Sequence, residues 1–280
     1  MKELSCQRIT ETVERLFIKA NAMLPPETAM LIECASETED SPAGRKALED
    51  LLGKVIHAGL SGLPVCRDSG MAVVFADIGQ DVRITGGSFE EAVNQGVRQA
   101  YEKGKLRKSV VGDPLRRENT GDNTPAVIHT RIVPGDSLVL TVCPKGFDSE
   151  NISAMKMFQP SSTADDILSF LVETVSKADS KTCFPIILGV GLGGTLEQAA
   201  LLAKRALIRP MDRRNPDGFY ANLEQKALSR INKLGIGPGG LGGSTTALAV
   251  NIEVFPTHVD GLPCVVNASS HAARRAEAVL

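Results

Sequence analysis

A mixed α/β (α+β) fold follows from three features of the sequence: helical apolar periodicity in discrete blocks, short β-rich apolar runs between them, and Gly, Pro and Asp turn signals at the joins. From Glu3 to about Gly62 the pattern is helical. Ile9, Val13, Leu16 and Phe17 fall at i, i+4, i+7 and i+8, and Ala47, Leu48, Leu51, Leu52 and Val55 repeat the spacing. After Cys66 the character changes to strands at Met71–Ile78, Ala126–Val133 and Ser137–Val142, the last following the turn Pro134-Gly135-Asp136. Helices are expected at Phe89–Lys103, Thr163–Lys177, Thr195–Ile208 and Asn222–Lys233, interleaved with strands Phe184–Val190 and Thr246–Val254. No Ser/Gly linker and no fixed-period repeat divides the chain. The expectation is therefore one domain over 1–280, a helical lead-in at 1–62 followed by an α/β core of mixed sheet and flanking helices at 63–280.

Composition narrows the function classes. The 280 residues are 42% apolar and 23% charged, the balance of a globular protein. The longest apolar runs fall far short of the ~20 residues that cross a bilayer, and the start MKELSCQR lacks an apolar signal region, so no membrane role and a cytoplasmic location are expected. Basic and acidic residues number 31 and 33 with no basic run beyond two residues, which leaves no electrostatic footprint for nucleic acid. Without Trp and with two Tyr, base-stacking platforms are also nearly absent. Small polar substrates suit this chain better.

Six cysteines, at 6, 34, 66, 143, 183 and 264, lie at least 28 residues apart, which excludes a CxxC knuckle or a thioredoxin-type pair. They are buried free thiols or ligands gathered by the fold.

Four stretches are rich in Gly, Pro and small polar residues: LPVCRDSG, NTGDNTPAVIH, PKGFDSEN and GIGPGGLGGSTT. Loops of this composition carry sites or merely turn the chain. Cys66 and Asp68 are two apart before an apolar strand, so an extended backbone points both the same way, toward a shared pocket or toward a buried thiol beside a turn. Asn119, Thr120, Asp122, Asn123 and Thr124 can donate to an anion or cap a helix. Lys145 before Gly146 offers a cation and amide-rich backbone, or a solvated turn. Gly189, Gly191 and Gly194 match G-x-G-x-x-G after an apolar strand, but no second strand leads to an acidic residue about 20 positions on, so a dinucleotide site is not expected. The glycines then suit a close backbone approach. The four histidines, at 57, 129, 258 and 271, are too dispersed for HExxH, and His258 at a strand end is either a catalytic imidazole or a loop residue.

Taken in order, PVCRDSG, VGDPLRRENTGDNTPAVIH, PKGFDSEN, CFPIILGVGLGGT, LGIGPGGLGG and PTHVDGLPCVVNASSHAARR resemble the iron–sulfur hydro-lyases, class I fumarate hydratase and L-tartrate dehydratase of alpha-subunit type, from about residue 10 onward. The Lys-Gly turn and NTGDNTP look closer to the fumarate hydratase branch. The resemblance implies reversible hydration of a four-carbon dicarboxylate such as fumarate, with tartrate as the rival substrate. It implies an oxygen-sensitive [4Fe-4S] cluster on three thiolates, with one iron open as Lewis acid. Cys66 and Cys183 match two ligand positions and Ser270, just before His271, stands at the third, where the family carries Cys. Asp68 then resembles the acid/base carboxylate, and His258 and Arg107 resemble substrate-side groups, with His258 placed among the catalytic residues. Arg67, Lys145 and Gly146 would meet the substrate carboxylates, and Asn119, Asp122 and Thr124 would shape the pocket. A beta subunit carrying the remaining catalytic groups is implied as an obligate partner in a hetero-oligomer.

Three positions depart from the family: Ser270 for Cys, Arg67 for Gln, and Phe147-Asp148 for Gly-Gly. A hydroxyl is a harder and far less acidic ligand than a thiol. Cys264, six residues earlier, lies as much as ~20 Å away along an extended chain. A non-catalytic relative that has lost its cluster is therefore the alternative to an active alpha subunit.

Overall fold

The computed structural model describes residues 2–178 and 182–280. The chain divides into two compact units, each assembled from separate stretches: residues up to 25, 54–146 and 274–280 in the first, and 26–53 and 147–273 in the second. The mixed α/β class expected from the sequence is the class observed.

The first unit is a four-stranded sheet of order β10-β5-β2-β4 covered by two helices. Strands β2 (Met71–Gly79) and β4 (Val127–Val133) are parallel, while β5 (Leu138–Lys145) runs antiparallel to β2, and β10 (Ala276–Val279) antiparallel to β5. Alternation along β2 and β5 turns Val74, Ala76, Leu138, Leu140 and Val142 to one face, where they meet α1 (Cys6–Ala22) and α4 (Phe89–Lys103). The helices bring Ile9, Val13, Leu16 and Phe17 from α1 and Val93, Val97 and Tyr101 from α4, spacings of three and four that make one stripe on each. Gly96 lets them cross closely, since a Cβ there would stand 2.7 Å from Thr10 O.

The helical lead-in begins later than its periodicity suggests. Lys2–Ser5 is a strand, β1, paired parallel to β3 (Val82–Thr85). Only Leu4 of β1 is buried, too little for a periodic signal. Helix α1 starts at Cys6 because the Ser5 hydroxyl caps it, accepting from Arg8 N at 3.3 Å. Helices α2 (Pro26–Thr38) and α3 (Pro42–Ser61) complete the lead-in.

The second unit is a four-stranded sheet of order β6-β9-β7-β8 with helices on both faces. Strand β7 (Ile186–Gly193) is wholly buried, parallel to β8 (Ala247–Phe255) and antiparallel to β9 (Leu262–Ser270), which pairs antiparallel with β6 (Ala154–Phe158). Ile186, Leu188, Val190 and Leu192 join the core built by α6 (Ala164–Ser176) and α8 (Gly218–Asn232). The alternate residues, Gly189 and Gly191, face α7 (Leu196–Ile208), and a Cβ on either would run into the carbonyl oxygens of Ala203 and Ala199. The G-x-G-x-x-G run therefore exists to seat a helix on a strand. A short helix α5 (Phe147–Glu150) precedes β6.

Candidate active site

Nine of the twelve expected site residues belong to the first unit and three to the second. In the first, the loop Pro64–Gly70 enters β2, and its geometry is fixed at both ends. At the start, Val65 N donates to Asn21 O at 2.8 Å. At the end, the Tyr101 hydroxyl donates to Ser69 O and Gly70 O at 3.0 and 2.7 Å, and Asn123 Nδ2 donates to Gly70 O at 3.3 Å. Burial pushes the Tyr101 phenol well above its ordinary value, so it stays a donor. Between these anchors lie Cys66, half-buried with a free thiol, and Arg67, exposed. Asp68 follows, half-buried, its Oδ1 accepting from Gly70 N at 3.0 Å.

Gly70 has φ +75, and its Cα packs on the end of β5, where a Cβ would stand 2.6–2.8 Å from the Lys145 backbone. The register, with Met71 opposite Lys145, thus sets the Asp68 turn against the Lys145-Gly146 turn at one end of the sheet. Lys145 is 2% exposed, its ammonium within 3.3 Å of Gly146 O, so a cation is stored at that end.

The other first-unit residues hold their own loops. Arg107 is exposed, and its backbone N donates to the Ser69 hydroxyl at 3.0 Å. Asn119 closes a turn through Gly121 N and Lys108 O. Asp122 takes Thr124 N and Oγ1 at 3.0 and 2.8 Å; burial acts to raise its carboxyl, and these bonds outweigh it and hold it below the usual range. The residue of this run that reaches the loop is Asn123, fully buried at φ +65, whose Oδ1 also accepts Ser109 N and Val110 N. Asn tolerates that backbone conformation, a signal readable in the sequence before Thr124-Pro125. Tyr101 was readable too, as a phenol on the apolar stripe of a helix that requires a buried partner.

In the second unit, Ser270 is 8% exposed at the end of β9, opposite Ile186, three residues after Cys183. Cys183 is half-buried and in no disulfide, and His271 Nδ1 lies 3.4 Å from its carbonyl oxygen. The segment is braced by Gly239 N, which donates to Phe184 O at 3.1 Å from the GIGPGGLGGSTT loop. Glu39, fully buried, clamps that loop by accepting Ser244 N and Thr245 N at 2.8 Å each. Nothing local marks Glu39 as a clamp of this loop, because its two loop partners are 205 and 206 residues away. Cys264 is wholly buried mid-sheet opposite Leu192, its thiol pushed up to about 12 by burial, so it does not replace Ser270. His258 lies on the β8–β9 loop with its side chain 78% exposed, 3.5 Å from Asp260. Among the described residues, no group of three or more His, Cys, Asp and Glu side chains is arranged to hold a metal ion, and no helix is long and apolar enough to cross a membrane.

The sequence from residue 10 to 279 matches the family model described as fumarate hydratase (Fumerase). The chain is 37% identical over 275 residues to a protein of Methanocaldococcus jannaschii assigned by name as an L(+)-tartrate dehydratase subunit alpha, covering 96% of each. It is 26% identical over 277 residues to the L(+)-tartrate dehydratase subunit alpha of Escherichia coli K12 and to that of Shigella sonnei, covering 98% of this chain and 91% of theirs. With the match spanning nearly its whole length, this chain belongs to the fumarate hydratase (Fumerase) family of hydro-lyases.

Proposed function

We propose that the chain is the alpha subunit of a hydro-lyase that interconverts a four-carbon 2-hydroxydicarboxylate and its alkene, fumarate and malate first, with tartrate as the rival. The observation that carries the reading is the juxtaposition of the Asp68 turn and the Lys145-Gly146 turn at one end of the β2–β5 pair. In the dehydration direction the Asp68 carboxylate takes the proton from the carbon beside one substrate carboxylate. The C–H electron pair becomes the C=C bond, and the hydroxyl on the neighbouring carbon leaves with a second proton as water. The Lys145 ammonium, the Gly146 backbone and Arg107 bind the substrate carboxylates, and Arg67 adds charge where the pocket opens to solvent. Asn119, Asp122 and Thr124 keep the adjoining loop in shape. His258, exposed as it stands, becomes a proton-transfer group once a partner subunit excludes water from it. That partner is a beta subunit, in keeping with the alpha-subunit names of the relatives, and the assembly works in the cytoplasm.

Family resemblance implies a [4Fe-4S] cluster on Cys66, Cys183 and the residue at 270. The donor set here is two thiols and one hydroxyl. That set does not fit a cluster held by three thiolates, because a hydroxyl keeps its proton far more tightly than a thiol with a pKa of about 8.5. The proton and bond steps of the proposed reaction therefore rest on this chain's own residues. The same serine favours a second reading, a non-catalytic alpha-type chain that retains the fold. Anaerobic purification with the beta subunit, followed by assays on fumarate, malate and tartrate and by iron and sulfide analysis, separates the two. Turnover of one dicarboxylate supports the first reading; an inert, iron-free complex overturns it.

A further inference from the structure

Arg274, in the HAARR segment, is 4% exposed, and its guanidinium makes one hydrogen bond, from Nη1 to Asn21 Oδ1 at 2.7 Å. Among the described residues no carboxylate pairs with it. In the second unit the largely buried guanidinium of Arg209, its side chain 13% exposed, is joined to both Glu224 and Glu253. A guanidinium remains protonated at any working pH, and burying it beside a neutral amide alone is costly. A fold that keeps such a charge uses it elsewhere.

The neighbours of Arg274 say where. Asn21, which accepts from it, also accepts Val65 N through its backbone oxygen and donates through Nδ2 to Phe17 O at 3.0 Å, so the amide cannot rotate away. Tyr101, whose phenol feels both the Arg274 charge and the Asp68 charge, holds the other end of the loop at Ser69 and Gly70. The cation thus stands at the base of the loop whose middle residues are Cys66, Arg67 and Asp68.

We propose that Arg274 is a positioning residue of the active site: its buried guanidinium, fixed on Asn21, supplies the standing positive charge at the base of the 64–70 loop and so orders the anionic groups that this loop presents. The inference rests on the reading of Cys66 and Asp68 as site residues. It adds to that reading a source of charge that no solvent ion can replace, since a buried cation is screened far less than Arg67 at the surface.

The test uses the full chain, reduced and treated with chelator, in which Cys66 and the exposed Cys34 are alkylated with iodoacetate or with iodoacetamide and read by mass spectrometry. The anionic reagent senses local potential and the neutral one senses access, so their rate ratio reports charge independently of loop opening. Arg274→Met is expected to lower the ratio at Cys66 about threefold, Arg274→Lys to keep most of it, and Cys34 to change in neither. Should Arg274→Met fail to fold, Asn21→Asp places a carboxylate directly on the guanidinium and is expected to lower the ratio in the same sense. In complex with the beta subunit, Arg274→Met should lower kcat about tenfold with KM within about twofold, and Arg274→Lys should recover part of the loss. A ratio at Cys66 unchanged in Arg274→Met and Asn21→Asp, or equal behaviour of the Lys and Met variants, overturns the proposal. Absence of dicarboxylate turnover in the wild-type complex would instead overturn the proposed function, while the alkylation ratios still decide the role of Arg274.

Discussion

Gly70 and Lys145 touch backbone to backbone: a methyl group at Gly70 would stand 2.6 Å from the Lys145 carbonyl carbon, and Gly70 holds φ at +75. This contact fixes how the loop bearing Asp68 meets the turn bearing the buried ammonium.

Gly70→Ala meets both penalties at once, a left-handed backbone and a collision with main chain that cannot swing aside. The expected loss is about 2–4 kcal/mol of stability, with proposed hydratase turnover falling more steeply than the folded fraction. Urea denaturation beside an activity assay checks it; a variant as stable as wild type would show that the two turns have slack.

Gly191→Ala tests what the glycine-rich strand is for. If Gly191 exists to admit α7, the added methyl meets Ala199 O and costs about 2–5 kcal/mol. A nucleotide loop would behave otherwise, with stability near wild type and a measurable NAD(P) affinity lost. Calorimetric titration of the wild type with NAD(P) together with thermal melts of both proteins decides between them.

Both glycines show what the sequence can and cannot reveal. Helix α4 was legible over its full length, Phe89–Lys103, because its apolar stripe, acidic first turn and Ser88 cap all agree. Strands β1 and β3 were not, since four-residue edge strands bury too few side chains to leave a period. The loop Pro64–Gly70 announced itself by composition, and so did Ser270 by its place in a motif. Its supports did not: Tyr101 lies 31 residues from Gly70, and Arg274 lies 253 residues from Asn21. Local pattern carries no information about a partner that only the closed fold brings near.

Glu39 gives the chain an acid-sensitive element. Burial alone would raise its carboxyl, but hydrogen bonds from Ser41 N, Ser244 N and Thr245 N outweigh this and hold it below the ordinary 4.5. A folded-state value below the unfolded one means that its contribution is fully present above about pH 4.5 and is lost as pH falls through the lower value. Glu39→Gln keeps an acceptor for Ser41 N and Ser244 N but sets an amide N–H against the Thr245 N donor, and should cost about 1–3 kcal/mol at pH 7 with a flatter decline on the acid side. Guanidinium titrations from pH 7 to pH 3 measure it; parallel curves would remove Glu39 from the acid response.

Ser270→Cys restores a soft donor at a position already fixed by the β7–β9 register. Iron and sulfide after anaerobic reconstitution should rise above wild type, and resist chelation for longer. Equal, near-zero iron in both proteins would mean that the surroundings of Cys66 and Cys183 no longer suit a cluster, whatever residue stands at 270.

Residues 274–280 add a consequence in time. They supply β10, which covers the outer edge of β5, and Leu280 exchanges backbone hydrogen bonds with Leu138 at 2.8 and 3.1 Å. Everything else in that sheet has been synthesised by Gly146, yet the edge stays bare while the intervening second unit is translated. At 5–20 residues per second that interval is roughly 6–26 s. During it the nascent chain displays an open strand edge, the feature that invites pairing with a wrong neighbour. The segment that carries the buried Arg274 cation is thus also the one that ends this exposure, so a chain caught short of it lacks both that charge and its edge cover, and is prone to aggregate.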